Sequence, residues 1–149
     1  MNAMLHAPPA LVGGLTPAEA SRLRAQFARL AADADGFAED FYARLFAIAP
    51  LVRAMFRGPM PEQRTKLMRM LSLLVQRLDA PIELSQALSG LGDRHRAYGV
   101  MAQDFEPVGR ALLGTLDARL GEDFDAHARV AWRKLYAFVT AQMSAPALP

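Results

Sequence analysis

The sequence contains no cysteine, which excludes disulfides, thiolate catalysis, iron–sulfur clusters and zinc sites built on cysteine. Charged residues are also few, at 21% of the chain against 52% hydrophobic residues. No stretch approaches the ~18 apolar residues of a membrane-spanning helix, and no run of like charges resembles a basic arm for nucleic acid or membrane. We therefore expect a soluble, cytoplasmic protein without a nucleic-acid or membrane partner.

The chain has the length of one domain, at 149 residues with a net charge of +2. Residues 1–14 carry two prolines and two glycines and no signal-peptide pattern, so they are predicted to form a flexible N-terminal tail. A single domain is predicted over residues 15–145, followed by a short C-terminal tail over residues 146–149.

The hydrophobic pattern is helical, because apolar residues recur every three or four positions and no segment alternates with period two. The first helix is predicted to begin at Thr16, with Pro17 in its first turn and Glu19 completing a capping box. Further helices are predicted over about residues 36–49, 61–78, 81–97, 105–120 and 125–143, with a short helical turn over 50–56. The sequence therefore predicts an all-α fold.

Of the three histidines, only His95 is placed where it could reach a core. It lies at the end of the apolar helical pattern of residues 81–97, whereas His6 lies in the predicted tail and His127 at a predicted helix start. A lone interior histidine is more often a hydrogen-bonded core residue than a metal ligand. Spacing alone leaves both interpretations of His95 open.

Three other residues are candidates for the surroundings of this histidine. Gln63 precedes Leu67 by one helical turn, Tyr42 interrupts the apolar face of the second helix, and Phe56 follows the bend at Pro50. From position alone, Tyr42 would be a half-buried tyrosine with its hydroxyl in water, and Phe56 an ordinary core residue. Spacing does not assign any of the three to a site.

Several segments together resemble one protein family. Arg94–Val100, followed by Phe105–Leu113, is similar to the proximal-histidine region of haem globins, especially neuroglobin and the bacterial haemoglobins related to flavohaemoglobin globin domains. Residues 41–56, 63–74 and 131–136 are similar to the family's second helix and bend, its long distal helix and its last helix. The resemblance covers about residues 15–143 and implies the globin fold, with about six to eight helices around a haem b pocket.

The resemblance also implies roles for individual residues. His95 matches the proximal iron ligand and Phe56 the aromatic residue that stacks against the haem, while Leu91 would pack beneath the macrocycle and offer its carbonyl to the His95 ring. Tyr42 and Gln63 match the distal positions that face the bound gas, where they would donate hydrogen bonds to O2. The other implied haem-binding residues, a basic partner for a propionate and the apolar walls, are Lys66, Leu67, Val100, Phe105 and Val108.

Two departures from flavohaemoglobins reduce the expectation of oxygen activation. Those relatives polarise the proximal histidine with a tyrosine and a glutamate, but here Phe105 holds the matching tyrosine position and no Asp or Glu follows Asp125. We therefore expect a neutral imidazole at His95. A chain of 149 residues also leaves no room for a flavin and nicotinamide reductase, so electrons would come from a separate protein.

The resemblance implies a haem globin that reversibly binds O2, and also CO and NO, for storage, delivery or sensing, as a monomer or homodimer. Because glutamine is a poor iron ligand, Gln63 should leave the sixth coordination position of the ferrous protein open. The alternatives are a nitric oxide dioxygenase served by a separate reductase, and a haem-free globin-fold regulatory module. No catalytic residue is assigned.

Overall fold

The computed structural model describes residues 10–144, and within that range every regular element is a helix. The all-α prediction is therefore confirmed. Four short 3-10 helices lie at Val12–Gly14, Pro50–Met55, Ala102–Asp104 and Gly121–Asp123. The six α-helices are α1 (Pro17–Ala31), α2 (Ala34–Ile48), α3 (Met60–Gln76), α4 (Pro81–Ala97), α5 (Phe105–Leu120) and α6 (Ala126–Ser144).

Helix α1 begins with the predicted capping box. The Thr16 hydroxyl oxygen accepts from the Glu19 amide at 3.1 Å, and the Glu19 carboxylate accepts from the Thr16 amide at 2.9 Å. Pro17 follows in the first helical position, where no amide hydrogen is needed. Helix α2 begins two residues earlier than predicted because the Asp33 side chain accepts from the Gly36 amide and caps it.

The packed structure begins before the boundary predicted at Leu15. Val12 is 1% exposed, and its amide donates to the Leu78 carbonyl at 3.0 Å. Gly13 has a φ of +62° and approaches the Lys134 carbonyl so closely that a side chain at this position would overlap it. The prediction of a flexible segment is thus wrong for Val12–Gly14, while residues 1–9 and 145–149 lie outside the described residues.

The helices pack in a pattern that leaves α3 and α4 largely apart. Helix α2 packs chiefly on α5, α4 packs on α6, and α1 packs on α3 and α6. A buried polar contact joins α1 to α6, since Trp132 Nε1 donates to the Gln26 side-chain oxygen at 2.8 Å. Helices α3 and α4 are thus held by different neighbours.

None of the helices within residues 10–144 combines the length and the apolar character that crossing a bilayer requires. The core of the domain consists of apolar side chains from all six α-helices. Its largest fully buried members include Trp132, Phe37, Leu23, Leu45 and Leu116.

Candidate functional site

His95 lies in the last turn of α4 and is half-buried. Its Nδ1 lies 2.8 Å from the Leu91 carbonyl oxygen, one helical turn earlier. A carbonyl oxygen can only accept a hydrogen bond, so Nδ1 is the nitrogen that carries the proton. In the neutral imidazole the other ring nitrogen, Nε2, is then an electron-pair donor. The contact between Leu91 and His95 expected from the resemblance is present.

The chain turns sharply directly after α4, which brings Val100 beside the histidine. Gly99 has a φ of +91°, in the region that favours glycine, and this conformation ends the helix. The amide of Val100 then donates to the His95 carbonyl at 3.0 Å. The predicted wall residue Val100 is therefore attached to the same turn as His95.

Tyr42 lies within a cluster of aromatic rings. It is 7% exposed, and its ring centroid lies 5.0 Å from that of Phe41, 5.7 Å from that of Phe46 and 5.2 Å from that of Phe56. The hydroxyl donates to the backbone carbonyl of Gln63 at 3.4 Å. Burial raises the pKa of Tyr42 to about 12, so the hydroxyl stays protonated at physiological pH. The interpretation from position alone, a half-buried tyrosine with its hydroxyl in water, is therefore wrong for Tyr42.

Gln63 and Phe56 join Tyr42 at the start of α3. Phe56 is half-buried and contacts the Phe46 ring edge-on at a centroid distance of 5.5 Å. Gln63 is half-buried in the first turn of α3, with its side-chain amide beside Gly58. Phe46 was not singled out from the sequence, although its position one helical turn after Tyr42 is a signal that could have identified it.

The remaining predicted residues fall into two classes of exposure. Lys66 is exposed, as a group that meets the charged edge of a ligand would be. The apolar residues are half-buried and, apart from Val100, pack against the edge of the core. They are Leu67, Leu91, Val100, Phe105 and Val108.

A second tyrosine, Tyr136, which was not singled out from the sequence, contacts the start of α5. The Tyr136 hydroxyl on α6 donates to the backbone carbonyl of Phe105 at 2.5 Å, and its ring lies against Gly109, where a side chain would overlap it. Burial, and then the nearby Glu106 carboxylate, raise the pKa of Tyr136 well above its usual value. Tyr136 therefore ties the start of α5 to α6. In the sequence, Tyr136 is one more residue in the apolar pattern of the predicted last helix.

The structure gathers six of the ten predicted residues into two groups. Tyr42, Phe56 and Gln63 form one group with Phe46, and Leu91, His95 and Val100 form the other. Within residues 10–144, no hydrogen bond or ring contact joins the two groups directly. The first group thus contains a buried hydrogen-bond donor, the Tyr42 hydroxyl. The second contains the His95 imidazole with a free Nε2.

Comparison with known proteins identifies the family. The globin family model matches residues 39–143. Neuroglobin of Dissostichus mawsoni is 41% identical over 83 residues, which cover 56% of this chain and about half, 52%, of that relative's length. Neuroglobin-1 of Oncorhynchus mykiss is 32% identical over 87% of this chain and 91% of that protein. Neuroglobin of Danio rerio is 32% identical over 69% of this chain and 74% of that protein. By its fold, by the extent of the family match and by its likeness to these relatives, the chain belongs to the globin family.

Proposed function

We propose that this globin holds haem b between α3 and α4 and reversibly binds O2, and also CO and NO, for storage, delivery or sensing. The observation that carries the proposal is the state of the His95 ring. Its Nδ1 donates to the Leu91 carbonyl at 2.8 Å, which orients the imidazole and leaves Nε2 free to bind a metal. Metal-binding histidines are usually oriented by such a hydrogen bond from the other ring nitrogen.

The side chains present fit a porphyrin better than a bare metal ion. Within the described part of the chain, no group of three or more His, Cys, Asp or Glu residues could hold an ion. A haem would bring most of the ligands of its iron with it and would need from this chain one further ligand, for which His95 is suited. The half-buried apolar side chains around that histidine suit the faces of the macrocycle, and the exposed ammonium of Lys66 suits a propionate at its edge.

Haem supplies the coordination position at which a diatomic gas binds. The residues of this chain would orient the axial imidazole, keep water away and offer hydrogen bonds to the gas. Tyr42 is suited to the last task because its hydroxyl is buried and protonated, and because its present acceptor is 3.4 Å away. Gln63 adds a neutral side-chain amide in the same region.

The hydrogen-bond partner of the His95 ring favours reversible binding over oxygen activation. The His95 Nδ1 donates to the neutral carbonyl of Leu91, and the Tyr136 hydroxyl donates to the Phe105 carbonyl. No carboxylate is available on α6 to give the imidazole anionic character, because the chain has no Asp or Glu after Asp125. Nitric oxide dioxygenase activity with a separate reductase is the alternative that this arrangement supports less well.

The decisive experiment is the absorption spectrum of the reduced protein with and without CO. We expect a haem Soret band, an open sixth position before CO is added and a clear shift of the band afterwards. A chain that shows no Soret band even after titration with hemin would overturn the proposal in favour of a haem-free module. Consumption of NO in many turnovers with electron-donor proteins present would instead support the dioxygenase. The cytoplasmic location stays a prediction from the composition.

A further inference from the structure

A single carbonyl near the end of α6 meets α4 at two points. Gly92 of α4 is buried directly against the Met143 carbonyl, so that any side chain at position 92 would overlap that oxygen. Arg96, one helical turn later, donates from Nη1 to the same oxygen at 2.6 Å. Gly92 and Arg96 therefore lie on the same face of α4 and share one contact on α6.

The contact lies in the last described turn of α6. Met143 is the penultimate residue of α6 (Ala126–Ser144), and its backbone carbonyl accepts from the Arg96 guanidinium. The other side of the Arg96 guanidinium is paired with Asp93, which holds the side chain in place.

His95 lies within the turn of α4 that these two residues attach to α6. Helix α4 packs chiefly on α6, so the height and the tilt of its last turn depend on that helix. The Leu91 carbonyl that orients the His95 ring lies one helical turn earlier on α4. If the last turn of α4 came away from α6, the imidazole would therefore move relative to that carbonyl as well as relative to the rest of the site.

We propose that Gly92 and Arg96 are positioning residues, which anchor the last turn of α4 to the Met143 carbonyl and so set where the His95 imidazole stands. Because it concerns the axial imidazole, this role rests on the proposed haem binding. Gly92 allows the backbones to approach, and Arg96 fixes the distance and direction of that approach. Neither residue touches the gas.

Helix α4 itself offers a matched control for each of the two residues. Arg94 directly precedes His95 in the chain, as Arg96 directly follows it. Arg94 is exposed and makes no ion pair within residues 10–144. The nearest atom to a side chain built at Gly90 would be the flexible end of Arg94, 3.8 Å away. Arg94→Gln therefore removes the same charge as Arg96→Gln, and Gly90→Ala adds the same methyl group as Gly92→Ala, without touching α6.

The first test uses the haem-loaded full chain. We expect Arg96→Gln to release haem to an excess of a haem-scavenging apoprotein about tenfold faster, the low end of the effect of losing a residue that supports a metal ligand. The iron–histidine stretching band in the resonance Raman spectrum should also shift or broaden. Arg96→Lys, which keeps a donor, should recover part of both effects. Arg94→Gln should leave both unchanged, and equal behaviour of Arg94→Gln and Arg96→Gln would overturn the proposal.

The second test needs no haem and so separates this proposal from the proposed function. Nitrogen NMR of the His95 ring in the haem-free chain reports which ring nitrogen is protonated. We expect a single form protonated at Nδ1 in the parent chain and in the Gly90→Ala and Arg94→Gln variants, and a mixture of forms in Arg96→Gln. The Gly92→Ala variant, if it folds, should show at least as large a change in the His95 ring as Arg96→Gln. If the parent chain bound no haem the proposed function would fail, while the NMR contrast would still decide the role of Arg96.

Discussion

The Tyr42 hydroxyl and the backbone carbonyl of Gln63 lie 3.4 Å apart, so the two residues predicted to be distal meet at the start of α3 although 21 positions separate them. This distance is longer than the roughly 2.7–2.8 Å usual for a hydrogen bond between oxygens. The bond is therefore weak. The Tyr42 hydroxyl can turn towards a better acceptor in the site without losing a strong interaction.

Replacement of Tyr42 by phenylalanine should speed the release of O2. The variant keeps the ring that packs against Phe41 and Phe56 and removes only the hydroxyl. A hydrogen bond to a partly anionic ligand is worth about 1–3 kcal/mol, which corresponds to dissociation roughly five- to 150-fold faster. Stopped-flow displacement of O2 by CO measures this rate.

The control for that variant is Tyr98→Phe, because Tyr98 is 65% exposed and should not affect the gas. Release of CO, which is less polar than O2, should change less than release of O2 in Tyr42→Phe. Unaltered O2 release in Tyr42→Phe would show that Tyr42 does not act as a donor.

Replacement of Gln63 by histidine should close the sixth coordination position. In the proposed site the parent chain offers the Gln63 amide, which binds iron poorly, whereas an imidazole in the first turn of α3 would be a good ligand. The absorption spectrum of the ferrous protein without added gas should change from an open to a six-coordinate form. Gln86→His, at an exposed site on α4, should leave the spectrum unchanged. A six-coordinate spectrum in the parent chain would contradict the expectation.

Replacement of His95 by glycine should abolish stable haem binding, and added imidazole should restore it. The cavity left by the side chain admits the free base, which can bind iron without being tethered to α4. Haem content is read from the Soret band after gel filtration, with and without imidazole. His127→Gly changes an exposed histidine in the first turn of α6 and should retain haem. Equal haem retention by the two variants would remove His95 from the site.

The ion pair between Arg22 and Asp125 should stabilise the fold in a pH-dependent manner. The Asp125 carboxylate accepts from the Arg22 guanidinium at 2.7 Å and from the Ala128 amide at 3.0 Å, and the guanidinium is the largest cause that lowers its pKa from 3.8 to about 2. A carboxyl whose pKa is lower in the folded state contributes stability above its ordinary pKa. That contribution is lost as the pH falls from about 4 towards 2.

Asp125→Asn tests this pH dependence, because asparagine can still cap α6 but carries no charge. We expect a lower Tm than the parent at pH 7 and a difference that shrinks as the pH falls below about 4, measured by circular dichroism. Asp79→Asn, which changes an exposed carboxylate that forms no ion pair within residues 10–144, should show little difference at any pH. A Tm difference for Asp125→Asn that stayed constant down to pH 2 would contradict the assignment.

Features set by neighbours in the chain could be predicted from the sequence. The capping box of Thr16 and Glu19 and the hydrogen bond from His95 to Leu91 each join residues three or four apart, so helical geometry alone brings the partners together. The prediction that Val12 belongs to a flexible tail was wrong because the burial of Val12 depends on residues distant in the sequence. Its burial depends on Leu78 and on the contact of Gly13 with Lys134, and no local pattern reports contacts at such separations.

By itself, the sequence determined an all-α fold, because hydrophobic periodicity and the helix-capping residues are local properties, and its resemblance to haem globins identified the family. Only the tertiary structure decided that Tyr42 is buried with its hydroxyl on Gln63, and that Gly92 and Arg96 meet one carbonyl of α6. Those contacts depend on how two helices are placed side by side. That placement results from close packing across the whole core rather than from any single segment.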